Sequence, residues 1–210
     1  MFRNFRRNLV KTPTTKIIDT YPNNNVANYL YRRLQDFNVK TIFGVPGNYT
    51  AAFLNSILED KSTDMKLVTM SNELVAGYAA DGYARVQGPG GLGVVHVTYG
   101  VGAFSLLNAT AGSYVENVPV VVINGAPTNK EFRTFRYQNL QYQHIAPNPN
   151  SNLDVFRNVT CSSHIIEDAN DAPLQIELAL HRALTQMQPV YLEVREDVWR
   201  TPITEYGHID

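Results

Sequence analysis

The sequence is poor in cysteine, in long apolar runs and in excess charge of either sign. Cys161 is the only cysteine among 210 residues, which excludes an internal disulfide framework and a cysteine-rich zinc site. No apolar run approaches the roughly 20 residues that a membrane-spanning helix needs, and no signal-peptide core is present. A formal net charge of −1 provides no basic field to hold a nucleic acid. We therefore expect a protein of a reducing compartment, with neither nucleic acid nor membrane as its partner.

The N-terminal segment differs in composition from the rest of the chain. Basic residues precede the first acid, Asp19, and alternate with apolar residues in a pattern that resembles a weak organelle transit peptide. These basic residues are Arg3, Arg6, Arg7, Lys11 and Lys16. We interpret residues 1–20 as a basic tail outside the fold. The expected location is cytoplasmic, and the alternative is a mitochondrial or other organelle matrix.

Short apolar runs rich in β-branched residues alternate with stretches of helical spacing, which predicts buried strands between helices. The predicted strands are Thr41–Val45, Lys66–Met70, Gly93–Thr98, Pro119–Asn124, Val159–Ile166 and Val190–Val194. The predicted helices are Val26–Phe37, Thr50–Leu58, Glu73–Arg85, Val101–Val115 and Ala172–Gln186. Because polar residues rarely interrupt the strands, the fold class is α/β: a doubly wound, mostly parallel six-stranded sheet with helices on both faces. We place one domain at residues 21–200, with 201–210 as a C-terminal tail or the start of a linker.

Three loops directly follow predicted strands, where ligands of open parallel sheets bind. They are Gly44–Tyr49, Ser71–Leu74 and Thr98–Gly102. Neither G-x-G-x-x-G after the first strand nor a Walker A lysine motif occurs, so an isolated nucleotide-binding module is not favoured. The segment 142–153 is irregular and polar, and such loops often carry function.

Glu73 is the most informative titratable residue. A carboxylate at a strand end, followed by a helix of small apolar residues, should be substantially buried, and burial raises a carboxyl pKa so that it can hold a proton. The alternative is a carboxylate favoured by the helix dipole at a helix N-terminus. His144 lies in the irregular loop, whereas His96, His164 and His181 lie in predicted strands or helices and are interpreted as structural. No metal-ligand spacing occurs, so no metal site is predicted within this chain.

Three motifs together resemble the pyrimidine-binding (PYR) domain of thiamine diphosphate-dependent 2-oxo acid decarboxylases of the pyruvate and indolepyruvate decarboxylase type. They are Gly44-Val45-Pro46-Gly47, then Asn72-Glu73 with Ala79-Ala80-Asp81-Gly82-Tyr83-Ala84-Arg85, then Thr98–Gly102 continuing through Asn108 and Ala111–Tyr114. The similarity runs from about Asn25 to Arg200. The glutamate followed by A-A-D-G-Y-A-R is highly specific to thiamine diphosphate enzymes.

The resemblance implies a role for each of these loops. Glu73 would hydrogen-bond N1′ of the aminopyrimidine and shift it to the imino tautomer, whose nitrogen takes the C2 proton of the thiazolium. The cofactor then acts as an electron sink while carbon dioxide leaves a 2-oxo acid and an aldehyde is released. Pro46 and Val101 would line the aminopyrimidine pocket, with Thr98 and Tyr99 nearby. Thiamine diphosphate is thus the expected cofactor, bound at its aminopyrimidine end.

Two positions depart from the family pattern. The family usually has aspartate where this chain has Asn48, and adjacent histidines where it has Gln143-His144. We assign Asn48 and His144 to the catalytic set with Glu73, although an amide hydrogen-bonds without carrying a proton. The family's G-D-G motif for diphosphate and magnesium is also missing. Mg²⁺ is therefore expected only through a diphosphate-binding domain on another chain or in a missing continuation.

Two functions remain open from the sequence. The first is the PYR half-site of a 2-oxo acid decarboxylase, incomplete alone and working in a homo- or hetero-oligomer. The alternative is a non-catalytic PYR-like module that interacts with, or regulates, a related full-length enzyme. Glu73 favours the first function, whereas Asn48 and Gln143 favour the second.

Overall fold

The computed structural model of this chain describes residues 24–138, 144 and 148–204. Within these residues, helices and strands alternate along the chain, with six β-strands and seven α-helices. The strands are β1 Thr41–Gly44, β2 Lys66–Thr69, β3 Gly93–Thr98, β4 Val120–Ala126, β5 Ser162–Ile166 and β6 Val190–Arg195. The helices are α1 Val26–Asp36, α2 Ala51–Glu59, α3 Glu73–Gln87, α4 Val101–Val115, α5 Asn129–Gln138, α6 Ser151–Phe156 and α7 Ala172–Gln186. Short 3-10 helices cover Asn48–Thr50 and Glu196–Val198.

The strands form one parallel sheet in the order β2-β1-β3-β4-β6-β5. The predicted α/β class is confirmed, and every pairing in the described sheet is parallel. Strand β1 lies beside β3, yet α2 and α4, which follow these two strands, pack on opposite faces of the sheet. The chain therefore leaves adjacent strands in opposite directions, and such a switch point opens a crevice beyond the carboxyl ends of the strands.

Separate apolar cores fill the two faces of the sheet. On one face, α1, α2 and α7 contribute fully buried side chains such as Leu30, Phe53 and Ile176. On the other face, the small residues of α3 and α4 let these helices pack closely on the sheet, together with Phe156 from α6. Burying one Leu, Ile or Phe contributes roughly 1.5–3 kcal/mol. The helices on both faces are therefore held by burial, as the sequence predicts.

Local capping explains where α1 and α3 begin. The side chain of Asn25 accepts a hydrogen bond from the Asn28 amide at 2.9 Å, and that of Asn72 accepts one from the Val75 amide at 2.9 Å. A capping asparagine satisfies one of the free amides at a helix N-terminus. Glu73 consequently becomes the first residue of α3.

The structure corrects several predicted elements. The sequence did not predict α5, because it is strongly polar and buries only Phe135, so it carries no broad apolar stripe. Helix α6 begins inside the segment predicted as irregular, and its length of 6 residues is too short for a clear periodicity. Strand β5 begins at Ser162 rather than Val159, because a turn occupies the residues before it, with the Val159 amide bonded to Phe156 O at 3.0 Å.

Some predictions fall outside the described residues. These are the basic tail 1–20, Gln143 and the end of the C-terminal tail. The domain bounds 21–200 stay a prediction. None of the described helices combines the length and apolar character that crossing a membrane requires.

Candidate functional site

The loops that follow β1, β2 and β3 converge around Thr98. A Cβ atom built on Gly47 would lie 2.5 Å from Thr98 Cβ, and one built on Gly102 would lie 3.0 Å from Thr98 Cγ2. The Cβ atom built on Gly102 would also lie 3.2 Å from Oε1 of Glu73. Because neither glycine carries a side chain, the three loops approach more closely than other residues would allow. The predicted convergence of the loops is therefore seen in the structure.

Glu73 stands at the start of α3, where its charge interacts favourably with the helix dipole. Its carboxyl group reaches the N-terminus of α4 at Gly102. The side chain is half-buried, at the rim of the sheet in the first turn of the helix. Its predicted acid–base role stays a prediction. A ligand in the crevice could reach this carboxylate.

Three other predicted site residues lie at the rim of the crevice. Pro46 and Asn48 are exposed in the turn after β1, and Val101 is 62% exposed at the first position of α4. Thr98 is half-buried between the two glycine turns. The structure therefore gathers Glu73, Thr98 and the glycine turns in one place and leaves the rim side chains open.

The side chain of Tyr99 does not face the crevice. It is fully buried, packs with Tyr49 and Ala126, and donates a hydrogen bond from its hydroxyl to Pro149 O at 2.5 Å. Burial raises the pKa of Tyr99 well above its usual value, so the hydroxyl keeps its proton. Only the backbone of Tyr99 is left to contact a bound cofactor, and its expected place near the cofactor stays a prediction.

His144 lies beside the turn between β3 and α4. A Cβ atom on Gly100 would collide with the carbonyl oxygen of His144, and Gly100 adopts a φ of 71°, which favours glycine. The His144 side chain is exposed. The residues Gly100–Gly102 therefore lie beside both Glu73 and His144, two members of the predicted catalytic set.

The three histidines that are predicted to be structural, His96, His164 and His181, all lie within strands or helices. His96 is buried under Gly44, and burial lowers its pKa to about 4. The Nε2 atom of His164 lies 2.7 Å from the Ser162 hydroxyl, and burial is the main cause of its lowered pKa. His181 is exposed on α7, on the other side of the sheet from α3 and α4.

A buried polar network that joins β4 and β6 was missed in the sequence. The Asn124 side-chain amide donates to the Tyr191 hydroxyl at 2.7 Å, and this hydroxyl donates to Glu193 Oε2 at 2.6 Å. Arg195 Nη1 donates to Glu193 Oε1 at 2.9 Å. The alternation of Tyr191, Glu193 and Arg195 along one strand was the available signal, since every second residue faces the same side.

Arg195 ties this network to the surface. Its guanidinium lies 3.7 Å from the ring centroid of Phe132, and Nη2 donates to Glu167 Oε1 at 2.9 Å. Burial raises the pKa of Glu193, whereas the positive charge of Arg195 and the hydroxyl of Tyr191 act against that rise. Most polar atoms of the network are therefore hydrogen-bonded within the described residues, whereas Asn124 Oδ1 and Arg195 Nε have no hydrogen-bond partner there.

An apolar surface adjoins the crevice. Tyr78 Oη donates to Asn108 Oδ1 at 2.8 Å and joins α3 to α4. Exposed apolar side chains at helical spacing run along both helices and form what we name the α3–α4 face: Val75, Tyr78, Val86, Val101, Phe104 and Val115. Contiguous exposed apolar surface is typical of an interaction site.

Across residues 24–138, 144 and 148–204, no group of three or more His, Cys, Asp or Glu side chains could hold a metal ion.

Comparison with known proteins gives a consistent match. The chain matches the family model described as "Thiamine pyrophosphate enzyme, N-terminal TPP binding domain" over residues 24–147. It is 37% identical over 182 residues to Pyruvate decarboxylase 1 of Arabidopsis thaliana, which covers 87% of this chain and 29% of that relative. It is 38% identical over 170 residues to Pyruvate decarboxylase 2 of Oryza sativa subsp. japonica, covering 81% of this chain and 27% of that relative. The matched region thus spans less than a third of these curated relatives.

Proposed function

The chain belongs to the thiamine pyrophosphate enzyme family through its N-terminal TPP binding domain, and from this premise we propose that it supplies the aminopyrimidine half of a thiamine diphosphate site in a 2-oxo acid decarboxylase. The complete enzyme would convert a 2-oxo acid, with pyruvate as the first candidate, into an aldehyde and carbon dioxide. The observation that carries the proposal is the convergence of Glu73, Thr98 and Gly102 at the switch point of the sheet.

The residues of the crevice fit one end of this cofactor. A flat aminopyrimidine ring needs a carboxyl group at its edge and apolar contacts around it. Glu73 provides the carboxyl group, and the exposed side chains of Pro46 and Val101 provide apolar surface. Gly47 and Gly102 let their loops approach Thr98 closely. When bound, thiamine diphosphate supplies the electron sink for loss of carbon dioxide.

We assign acid–base work to two residues of this chain. Glu73 holds or shares a proton at N1′ of the aminopyrimidine, which is the role of a positioned general acid–base group. His144 is exposed beside the same turn, and its imidazole can move a proton at the substrate. Asn48 can donate and accept hydrogen bonds at the rim but cannot carry a proton.

The rest of the site must be built by other protein. We propose that a diphosphate-binding domain, on another chain or in a continuation of this one, holds the diphosphate and Mg²⁺. A second PYR domain would cover the α3–α4 face, since apolar surface beside a site is stabilised by burial. The active assembly is then a homo- or hetero-oligomer, which we place in the cytoplasm.

The second candidate function is a non-catalytic PYR module that pairs with a related full-length enzyme. The observation in its favour is Asn48, an exposed amide at the rim where the family usually has an acid. The two functions differ in one testable respect. A half-site supports turnover once the missing domains are supplied, whereas a non-catalytic module does not.

A chimaera decides between these functions. Residues 24–204 would replace the corresponding segment of Pyruvate decarboxylase 1 of Arabidopsis thaliana, which is 37% identical. We expect the chimaera to bind thiamine diphosphate with Mg²⁺ and to release carbon dioxide from pyruvate, and the isolated chain to bind the cofactor weakly or not at all. A folded chimaera that binds the cofactor without turning over any 2-oxo acid would favour the non-catalytic module. Submicromolar, Mg²⁺-dependent binding by the isolated chain would contradict the half-site.

A further inference from the structure

The turn between β3 and α4 contacts the His144 segment at two separate points. Gly100 lies against the backbone carbonyl of His144, and the hydroxyl of Tyr99 donates to Pro149 O at 2.5 Å. Consecutive residues of one turn thus contact His144 and Pro149. We propose that Tyr99 is a positioning residue that fixes His144 relative to Glu73 through its hydrogen bond to Pro149.

The acceptor of this hydrogen bond belongs to a hydrogen-bonded block at the start of α6. The Asn150 amide donates to Asn148 Oδ1 at 2.9 Å, the Ser151 amide donates to Asn148 O at 3.0 Å, and the Asp154 amide donates to Asn150 O at 2.9 Å. These bonds join Pro149 directly to the first turn of α6. A bond to Pro149 O therefore restrains a structured unit and not an isolated carbonyl.

The same block is fixed to the interior at its other end. The ring of Phe156 stacks on Tyr191 with centroids 4.5 Å apart, and Leu153 is buried on the same side of the sheet. Tyr191 in turn belongs to the polar network with Glu193. Phe156 and Leu153 anchor α6 on the sheet. The hydrogen bond from Tyr99 to Pro149 therefore fixes the position of the start of α6 relative to the β3–α4 turn.

Tyr99 is suited to a constant donor role. Its side chain is fully buried, and burial raises its pKa, so the hydroxyl stays protonated at any pH at which the protein works. A buried tyrosine hydroxyl needs a partner, and Pro149 O is the partner that the structure gives it. The ring alone would satisfy the packing with Tyr49 and Ala126, so the hydroxyl serves the Pro149 bond.

The inference connects the two halves of the proposed chemistry. Glu73 lies beside Gly102, which is two residues beyond Gly100, and Thr98 also lies beside Gly102. A single turn therefore relates the carboxyl group that meets the cofactor to the histidine that meets the substrate. This last step rests on the proposed function, because it requires His144 to act on a substrate.

The test removes the hydroxyl of Tyr99 and compares this variant with one that lacks the hydroxyl of another buried tyrosine. Tyr99→Phe removes the bond to Pro149 and keeps the buried ring. Tyr31→Phe is the control, because Tyr31 is equally buried and its hydroxyl donates to Asp60, which lies between α2 and β2. Both variants lose one buried hydroxyl, so a general loss of stability appears in both.

The first measurement uses the isolated chain and needs no cofactor. In Tyr99→Phe we expect the Asn150 and Ser151 amides to exchange with solvent about 5-fold faster, the change that losing one hydrogen bond of typical net strength produces. We also expect the NMR signals of the His144 ring to shift. Tyr31→Phe should change neither. Unchanged exchange and unchanged His144 signals in Tyr99→Phe would overturn the proposal, whatever the activity of the complete enzyme.

The second measurement uses the chimaera with Pyruvate decarboxylase 1. Tyr99→Phe should lower kcat by about 10-fold or more, because displacement of a catalytic group by about 1 Å can cost up to about 10²-fold. The exchange rate of the cofactor C2 proton, which depends on Glu73, should stay at the parent value. A kcat equal to that of the parent chimaera would overturn the positioning role. Failure of the proposed function is a separate outcome, since it appears as an inactive parent chimaera.

Discussion

Two carboxylates of this chain lie in opposite environments. Glu193 is 1% exposed and is enclosed by Arg195 and Tyr191. Glu73 is half-buried, in the first turn of α3, with its carboxyl group beside the backbone of Gly102. The chain neutralises the first carboxylate with its own side chains and presents the second at a crevice. The difference separates a structural acid from an acid available to a ligand.

The strand order explains why the two acids differ. Glu193 lies on β6, between β4 and β5, where Phe132 of α5 contacts Arg195 and Phe156 of α6 stacks on Tyr191. Glu73 follows the edge strand β2, close to the crevice between β1 and β3. A carboxylate in the interior of the sheet needs an arginine from the same chain, because an unpaired buried charge is strongly destabilising. A carboxylate at the crevice needs no such partner.

Breaking the enclosed pair should have the largest effect. Arg195→Met keeps much of the side-chain volume but leaves Glu193 buried without its counter-charge. We expect the free energy of unfolding to fall by about 3–5 kcal/mol, the usual cost of breaking a buried pair by removing one partner. Urea denaturation of the isolated chain measures it. Arg157→Met is the control, because its ion pair with Asp154 is exposed and is worth little.

A loss of less than about 1 kcal/mol in Arg195→Met would show that Glu193 is not held by Arg195, because that is the range of an exposed pair. The double variant Arg195→Met with Glu193→Gln sharpens the test. Removing both charges should recover part of the lost stability, because the uncompensated carboxylate is gone while Tyr191 keeps an acceptor.

Changing the open carboxylate should affect chemistry without affecting the fold. Glu73→Gln preserves shape and hydrogen bonding but removes the acid–base function. We expect C2–H exchange of the cofactor bound to the chimaera to slow by at least about 10²-fold, the lower end for a positioned acid–base group. Exchange followed by NMR measures this, and urea denaturation should show a stability close to that of the parent.

His144→Ala provides the contrast within the same site. It should leave C2–H exchange unchanged and lower turnover, since His144 is assigned to a later proton transfer. If Glu73→Gln exchanges the C2 proton as fast as the parent, Glu73 is only a carboxylate favoured by the helix dipole, and the proposed chemistry is wrong.

The sequence predicts the enclosed framework well because its signals are local. Apolar β-branched runs such as Gly93–Thr98 read directly as buried parallel strands, and that strand and α4 have the predicted bounds. Helix α5 could not be found in the same way, because its polar sequence buries only Phe135. Its position depends on contacts with distant residues, such as that of Phe132 with Arg195.

The site is predictable in membership but not in orientation. The resemblance places Glu73, Thr98 and Gly102 in one site, and the structure brings them together. The burial of Glu73 depends on which elements cover the rim, and no local pattern encodes that. The inward orientation of the Tyr99 side chain depends on the positive φ of Gly100 and on Pro149, fifty residues away along the chain.

The smallest expected effect concerns the surface beside the open carboxylate. If a second PYR domain covers the α3–α4 face, a charge placed there should weaken association without unfolding the chain. Val115→Lys suits this purpose, since Val115 is 71% exposed and ends α4, where a positive charge interacts favourably with the helix dipole. Leu58→Lys is the matched control: Leu58 is 69% exposed in the last turn of α2, on the opposite face of the sheet.

We expect the isolated chain to self-associate at high concentration, and Val115→Lys to raise the dissociation constant by about 10-fold. That factor corresponds to about 1.4 kcal/mol, close to the roughly 1.5 kcal/mol lower bound for burying a valine side chain. Analytical ultracentrifugation across a concentration series measures the change. Equal dissociation constants for Val115→Lys and Leu58→Lys, or a parent chain that stays monomeric throughout, would place the association surface away from the α3–α4 face. The apolar side chains beside Glu73 would then be free to meet the diphosphate-binding domain directly.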